Sequence, residues 1–282
     1  MFSRSTIGTT MLLALAFLGG ACAAFRPADP NGPPAEVRLY PVGLADPAAR
    51  LEEASVAWYQ ISQQNGLPER TEANLDPYTA TIQSLPPNLP VAITLPKVGT
   101  GAEHTEEQTR ESLRRFISEW RRLIGAAPEE LSLVERVDEA SGVKLARYEQ
   151  RPFRYPLRGG YGNLTIRFRD NGQLVAISSN CLPNADRLQA TLNAATPQIT
   201  SEEAVNSLKS QPITVTNATG QQTITLPANA VLESRQLVVY ALPPPGETTG
   251  LELHLAWEIN VNNGPVKTIY IDAVSGQVIA AA

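Results

Sequence analysis

Histidine, cysteine and methionine each occur only twice in the 282 residues, and these scarcities exclude several kinds of chemistry. His104 and His254 lie too far apart to form the i, i+4 pair of a zinc helix. Glu103-His104-Thr105-Glu106-Glu107 holds one histidine where such a helix needs two, so it reads as a solvated helix start. Cys22 and Cys181 cannot close a zinc site alone, and with Cys22 acylated or removed no intramolecular disulfide is left. The sequence has no Gly-x-Ser-x-Gly elbow, glycine-rich phosphate loop, Asp-rich calcium loop or His-Glu-x-x-His segment. Nothing in it pairs two carboxylates for acid–base work. The expectation is a protein without catalytic residues, metal or cofactor. Positive charge is also short: 23 Lys and Arg face 28 Asp and Glu, net -5, and no basic stripe forms. Counterion release from a phosphate backbone needs such a stripe, so nucleic acid is an unsuitable partner.

Long apolar runs are missing as well. The longest, Met11 to Leu18, is too short for a bilayer core of about 30 Å. With Arg4 before it and small residues after it, it reads as an export signal spanning residues 1–22. Ala21-Cys22-Ala23 suits plain secretion, whereas Gly20-Ala21-Cys22 resembles a bacterial lipobox in which Cys22 is acylated and holds the protein to the outer face of the membrane. Residues 23–45, rich in Pro, Ala and Gly, read as a flexible tether.

What remains is patterned for an α+β fold of two small helix-plus-antiparallel-sheet units behind a helical and irregular N-terminal region, 46–104. Asp46 and Pro47 start a helix whose apolar face is Leu51, Ala54, Trp58 and Ile61, and Asn65-Gly66 ends it. Six prolines then break the pattern up to Gly101, leaving Val91 to Leu95 as a short strand. The unit at 105–198 opens on a Thr105/Gln108 capping box. Leu113, Phe116, Ile117, Trp120, Leu123 and Ile124 recur at helical spacing, and Gly125 stops the helix. Arg114, Arg115, Arg121 and Arg122 read most simply as a solvated face. The period then drops to two over Leu131–Val137, Val143–Gln150, Leu164–Arg169 and Leu174–Ser178, with Asp170-Asn171-Gly172 as a hairpin turn. The unit at 199–282 opens on a Thr200/Glu203 box and a helix to Gln211. Strands follow at Val231–Leu242, Leu251–Val261, Lys267–Asp272 and Gln277–Ala280.

Two stretches carry a resemblance. Val143 to Pro183, with Arg147-Tyr148-Glu149-Gln150 and Pro156-Leu157, is similar to the fungalysin/thermolysin propeptide motif. Ile199 to Val205 and Leu255 to Ala281, the latter with its Tyr-x-Asp-Ala-x-Ser-Gly hairpin, resemble the start and end of a PepSY domain. In that family the module precedes a zinc peptidase, templates its folding and blocks its cleft. The resemblance implies a non-catalytic exported protein that inhibits a secreted thermolysin-like metallopeptidase or assists its folding. The alternative is an envelope-tethered PepSY-type ligand-binding or sensory module with no peptidase target. Arg147 and Gln150, on the strand matching the family's Arg-x-x-Gln, are candidate partner-binding residues. Asp272 is a third, although an Asp before Ser275-Gly276 more simply accepts N–H bonds inside its own turn.

Overall fold

Asp46 begins the first long helix of the computed structural model, its Oδ1 accepting the Ala48 and Ala49 N–H groups at 3.0 and 3.3 Å. The structure describes residues 40–44, 46–69, 71–99, 105–139, 142–209, 212–217 and 220–282. The export signal and Cys22 lie outside the described residues. Helix α1 (Pro47–Gln64) ends at Asn65, and Gly66 takes φ +68° to turn the chain away. Ala54, Ala57, Trp58 and Ile61 form its buried face. Just before it, strand β1 (Val42–Gly43) is already part of the fold. Residues 40–44 of the expected tether are therefore docked.

The proline-rich stretch contributes strand β2 (Asn74–Leu75) and strand β3 (Ile82–Ser84), which pair with each other. The strand expected over Val91–Leu95 is only a bridge, Thr94 to Gln173. Pro90 and Pro96 flank it, and neither has an N–H to extend a ladder. Its core contribution survives nonetheless, since Ile82, Ile93 and Leu95 are buried with α1 in one hydrophobic cluster.

Helix α2 (Glu106–Glu119) starts on the expected capping box, with Gln108 N donating to Thr105 Oγ1 and Thr105 N donating to Gln108 Oε1. A short helix α3 (Arg121–Ile124) continues it to Gly125 at φ +81°. A Cβ at Gly125 would press on the Thr81 methyl and the Cys181 carbonyl, so both the turn and the close packing call for glycine. Arg114 and Arg115 both hydrogen-bond Glu111, as suits a solvated face.

An antiparallel sheet follows, opened by strands β4 (Leu131–Glu139) and β5 (Val143–Gln150), after which β6 (Leu157–Arg158) leaves the sheet. Strand β7 (Asn163–Arg169) places Leu164, Ile166 and Phe168 inward, and strand β8 (Leu174–Ser179) closes the order β4-β5-β7-β8. Those side chains meet the helices around Trp120, which lies edge-on to Trp58 at 6.2 Å and tilted against Phe116 at 4.7 Å.

Helix α4 (Ala185–Ala194) buries Leu188 and Leu192 against Val239 and Leu253. It has no side-chain cap, because Asn184 sits in the left-handed region at φ +55°. Asn184 is a usual N-cap residue type, so the start of this helix, not expected above, does carry a signal in the sequence although the side chain does not cap it. Helix α5 (Ser201–Leu208) has the Thr200/Glu203 box but ends short of Gln211. Strand β9 (Ile213–Asn217) and strand β10 (Gly220–Ile224) then form a hairpin in the Thr-rich stretch. Strands β11 (Val231–Leu242), β12 (Glu252–Asn262), β13 (Thr268–Asp272) and β14 (Val278–Ala281) make the expected antiparallel meander.

Two short strands from earlier in the chain join this second sheet. β6 lies parallel to β11, with Leu157 opposite Val239 and Arg158 opposite Tyr240. β1 lies antiparallel to β12, with Val42 opposite Leu253. Gly159, at φ +93°, lets the chain after β6 press on β11, where any Cβ would run into the Ala241 carbonyl.

Candidate functional site

Of the three partner-binding candidates, only Arg147 faces outward. It is half exposed on β5 and its Nη1 lies 2.8 Å from Glu135 Oε2 on β4. Gln150 does not face a partner. It is 3% exposed, its Nε2 donating to the Leu182 carbonyl at 3.0 Å and its Oε1 accepting the Leu182 N–H at 2.7 Å. It works as a buried clamp between the end of β5 and the segment leading to α4. Three positions apart on β5, residues 147 and 150 fall on opposite faces of the strand, so 150 meets the core while 147 points to water.

Asp272 is 1% exposed, so it too is held inside the protein. Its Oδ1 accepts the Val274 and Ser275 N–H groups at 2.8 and 2.7 Å, which is the turn role expected of it. Its other oxygen has partners that the sequence did not reveal. Oδ2 accepts the Tyr40 hydroxyl at 2.9 Å and the His254 Nδ1 proton at 2.6 Å. Tyr40 in turn accepts the Leu255 N–H at 2.9 Å, tying residue 40 onto β12. Burial pushes the Asp272 carboxyl up, but the bonds from His254, Ser275, Val274 and Tyr40 outweigh it and hold the group below its ordinary value. For Tyr40, burial and the adjacent Asp272 charge both push the hydroxyl well up.

His254 stands on the same face of β12 as Ala256 and Glu258, a row the alternation assigns to solvent. The structure buries that row: Ala256 is fully covered and Glu258 is 4% exposed. Arg158 Nε donates to Glu258 Oε1 at 2.9 Å, and Gln236 Nε2 donates to Oε2 at 3.0 Å. Burial raises the Glu258 carboxyl, and these donors bring it net below the usual carboxylate range. Ala256, an apolar residue in a polar row, and Val238, Tyr240 and Tyr270 on the neighbouring strands are the sequence signals that this face is covered.

The Asp272 carboxylate fixes the His254 ring, leaving Nε2 3.5 Å from Glu252 Oε2 beside a cleft of about 740 Å³. Among the described residues no hydroxyl or thiol hydrogen-bonds Nε2, and no three His, Cys, Asp or Glu side chains converge as metal ligands. The cluster locks the turn after β13, strand β12 and residue 40 together.

The outer surface offers a different kind of site at β4. This nine-residue strand hydrogen-bonds only β5 among the described strands, so its other edge is open. Leu133, Val134 and Val137 are each more than 40% exposed there. Val134 has no opposite residue, since Leu133 pairs with Tyr148 and Glu135 with Arg147 across a bulge. Salt bridges from Arg147 to Glu135, Arg136 to Glu106 and Arg167 to Glu139 flank the strand. The result is an apolar edge set in a frame of charge. Among the described residues no helix is long and apolar enough to cross a membrane.

No protein-family model matches this chain. No curated protein is significantly similar to it. The likeness to the propeptide and PepSY families therefore rests on the residues quoted for it.

Proposed function

We propose that this is an exported, non-catalytic protein that binds a secreted thermolysin-like metallopeptidase and inhibits it or assists its folding. The observation that carries this reading is the open edge of β4 with Leu133, Val134 and Val137 exposed along it. An unpaired strand edge offers main-chain donors and acceptors to a partner strand, while adjacent side chains supply selectivity. The bulge at Val134 and the surrounding ion pairs work against indiscriminate pairing with other edges, as guarded edges do in natural sheets. Arg147, beside that edge, contributes to the charge frame a partner meets. Export rests on Arg4 and the Met11–Leu18 run, with Cys22 either acylated as a membrane anchor or removed in secretion. Replacing Cys22 by Ala releases the protein into the medium if it is anchored.

The decisive test adds purified protein to a thermolysin-type peptidase and follows both activity and refolding yield. Inhibition or improved refolding is expected. Leu133→Lys with Val137→Lys should weaken the effect by about tenfold or more, equivalent to ~1.4 kcal/mol, with the protein's own unfolding midpoint unchanged. Unchanged peptidase activity and refolding yield across a wide molar excess would sink the proposal.

A further inference from the structure

The segment from Arg151 to Arg169 contains five arginines and no Asp or Glu, in a chain whose net charge is -5. Its first part, Arg151 to Gly162, forms one wall of a cleft of about 780 Å³ where the two sheets meet. Phe153, Tyr155 and Tyr161 line that wall, and Tyr240 and Tyr270 line the other, their rings 4.4 Å apart on neighbouring parts of the second sheet. Three arginines reach the cleft in different states. Arg154 is exposed and stacks over Tyr155 at 5.4 Å, with no carboxylate partner among the described residues. Arg151 has only a long contact, 3.5 Å, with the exposed Glu149. Arg158 is held by the buried Glu258 through Nε and by the Leu157 carbonyl through Nη1, and its Nη2 makes no hydrogen bond among the described residues.

We infer that this cleft is a docking site for an acidic, tyrosine-containing extended peptide segment of a partner protein. Arginine and tyrosine are the side chains that dominate binding energy at protein–protein contacts. Arginine donates to carboxylates from a planar guanidinium, and Arg158, held in place by Glu258 and the Leu157 carbonyl, keeps its Nη2, unengaged among the described residues, free to donate, so less conformational freedom is lost on binding. Tyrosine faces accept both aromatic side chains and the flat peptide groups of an extended chain. Arg154, without a carboxylate partner among the described residues, and Arg151, only loosely held by Glu149 on the cleft rim, supply the positive charge that selects for an acidic segment. This site is distinct from the β4 edge and does not depend on the peptidase reading.

The test measures fluorescence anisotropy of a short fluorescein-labelled peptide of alternating Glu and Tyr on the full chain. Its counterpart with Gln for Glu and a hyaluronan oligosaccharide are run beside it. The Glu peptide should bind, more weakly as salt rises, and the Gln peptide should bind at least about tenfold more weakly. Arg154→Glu should cost about tenfold or more for the Glu peptide, while Val137→Lys on the β4 edge should leave it unchanged. Equal binding of the Gln peptide, tighter binding of the oligosaccharide, or indifference to Arg154→Glu would each overturn the assignment. So would loss of binding in Val137→Lys, because the two surfaces would then not be separate. A peptidase left untouched by the protein would remove the proposed function and leave this result standing.

Discussion

Replacing Asp272 by Ala removes four hydrogen bonds at once, two to backbone N–H groups of its turn and one each to Tyr40 and His254. Bonds to a charged acceptor are worth about 1.5–3 kcal/mol each, but they share one carboxylate and do not add. Removing one partner of a buried charged network costs about 3–5 kcal/mol, and with Asp272 only 1% exposed that range applies here. Asp272→Asn keeps an oxygen for the turn and an amide towards Tyr40 and His254, so its cost should be smaller, about 1–3 kcal/mol. Urea titration followed by tryptophan fluorescence and far-UV circular dichroism measures both, Trp257 reporting from the same strand as His254. The sign with pH follows from the depressed carboxyl. Its contribution is complete above the ordinary value of 3.8 and is lost as pH falls through the lower folded-state value. The gap between wild type and Asp272→Asn should therefore shrink on acidification below that point. A loss of less than about 1 kcal/mol in Asp272→Ala, typical of an ordinary surface site, would refute the idea that this cluster braces the fold.

The other predictions concern single residues. Gln150→Ala orphans the buried N–H and carbonyl of Leu182 and should cost about 2–4 kcal/mol in the same titration. Arg147→Ala breaks an exposed pair and should stay within about 0.5 kcal/mol of wild type; a large loss there would mean the edge frame is structural. Cys181 is fully buried with its thiol pushed up to about 12 by burial. Iodoacetamide should leave the peptide containing it unmodified in native protein and alkylate it in urea, as read by mass spectrometry. Native labelling at the unfolded rate would show that the core opens around it.

Local chemistry made much of this fold legible. The caps at Asp46, Thr105 and Thr200 are short-range signals, and each marks a helix start in the structure. Alternation placed Leu164, Ile166 and Phe168 inside, and residue types alone located the turn at Asp170-Asn171-Gly172. Helix α4 was not expected, although Asn184 at its start is a residue type that favours N-caps and Leu188 and Leu192 stand four positions apart on its buried face. The strand read into Val91–Leu95 failed because its flanking prolines cannot donate to a ladder, though its apolar side chains are buried as the pattern implies.

The candidate sites divide in the same way. Sequence identified Asp272 as a turn residue because its two N–H partners lie two and three positions on. Its other two partners, His254 on the paired strand β12 and Tyr40 just ahead of β1, are brought alongside by strand pairing, which no local pattern encodes. Gln150 and Arg147 sit three positions apart on one strand, yet a sheet's two-residue period sends one to the core and the other to water. The sequence alone determined the capped helix starts, the long strands and their inward rows, since these depend on a residue and its near neighbours. Tertiary structure decided which polar row is buried, which strand edge is left open and where the arginine-rich loop meets the tyrosines, because each depends on surfaces contributed by distant segments.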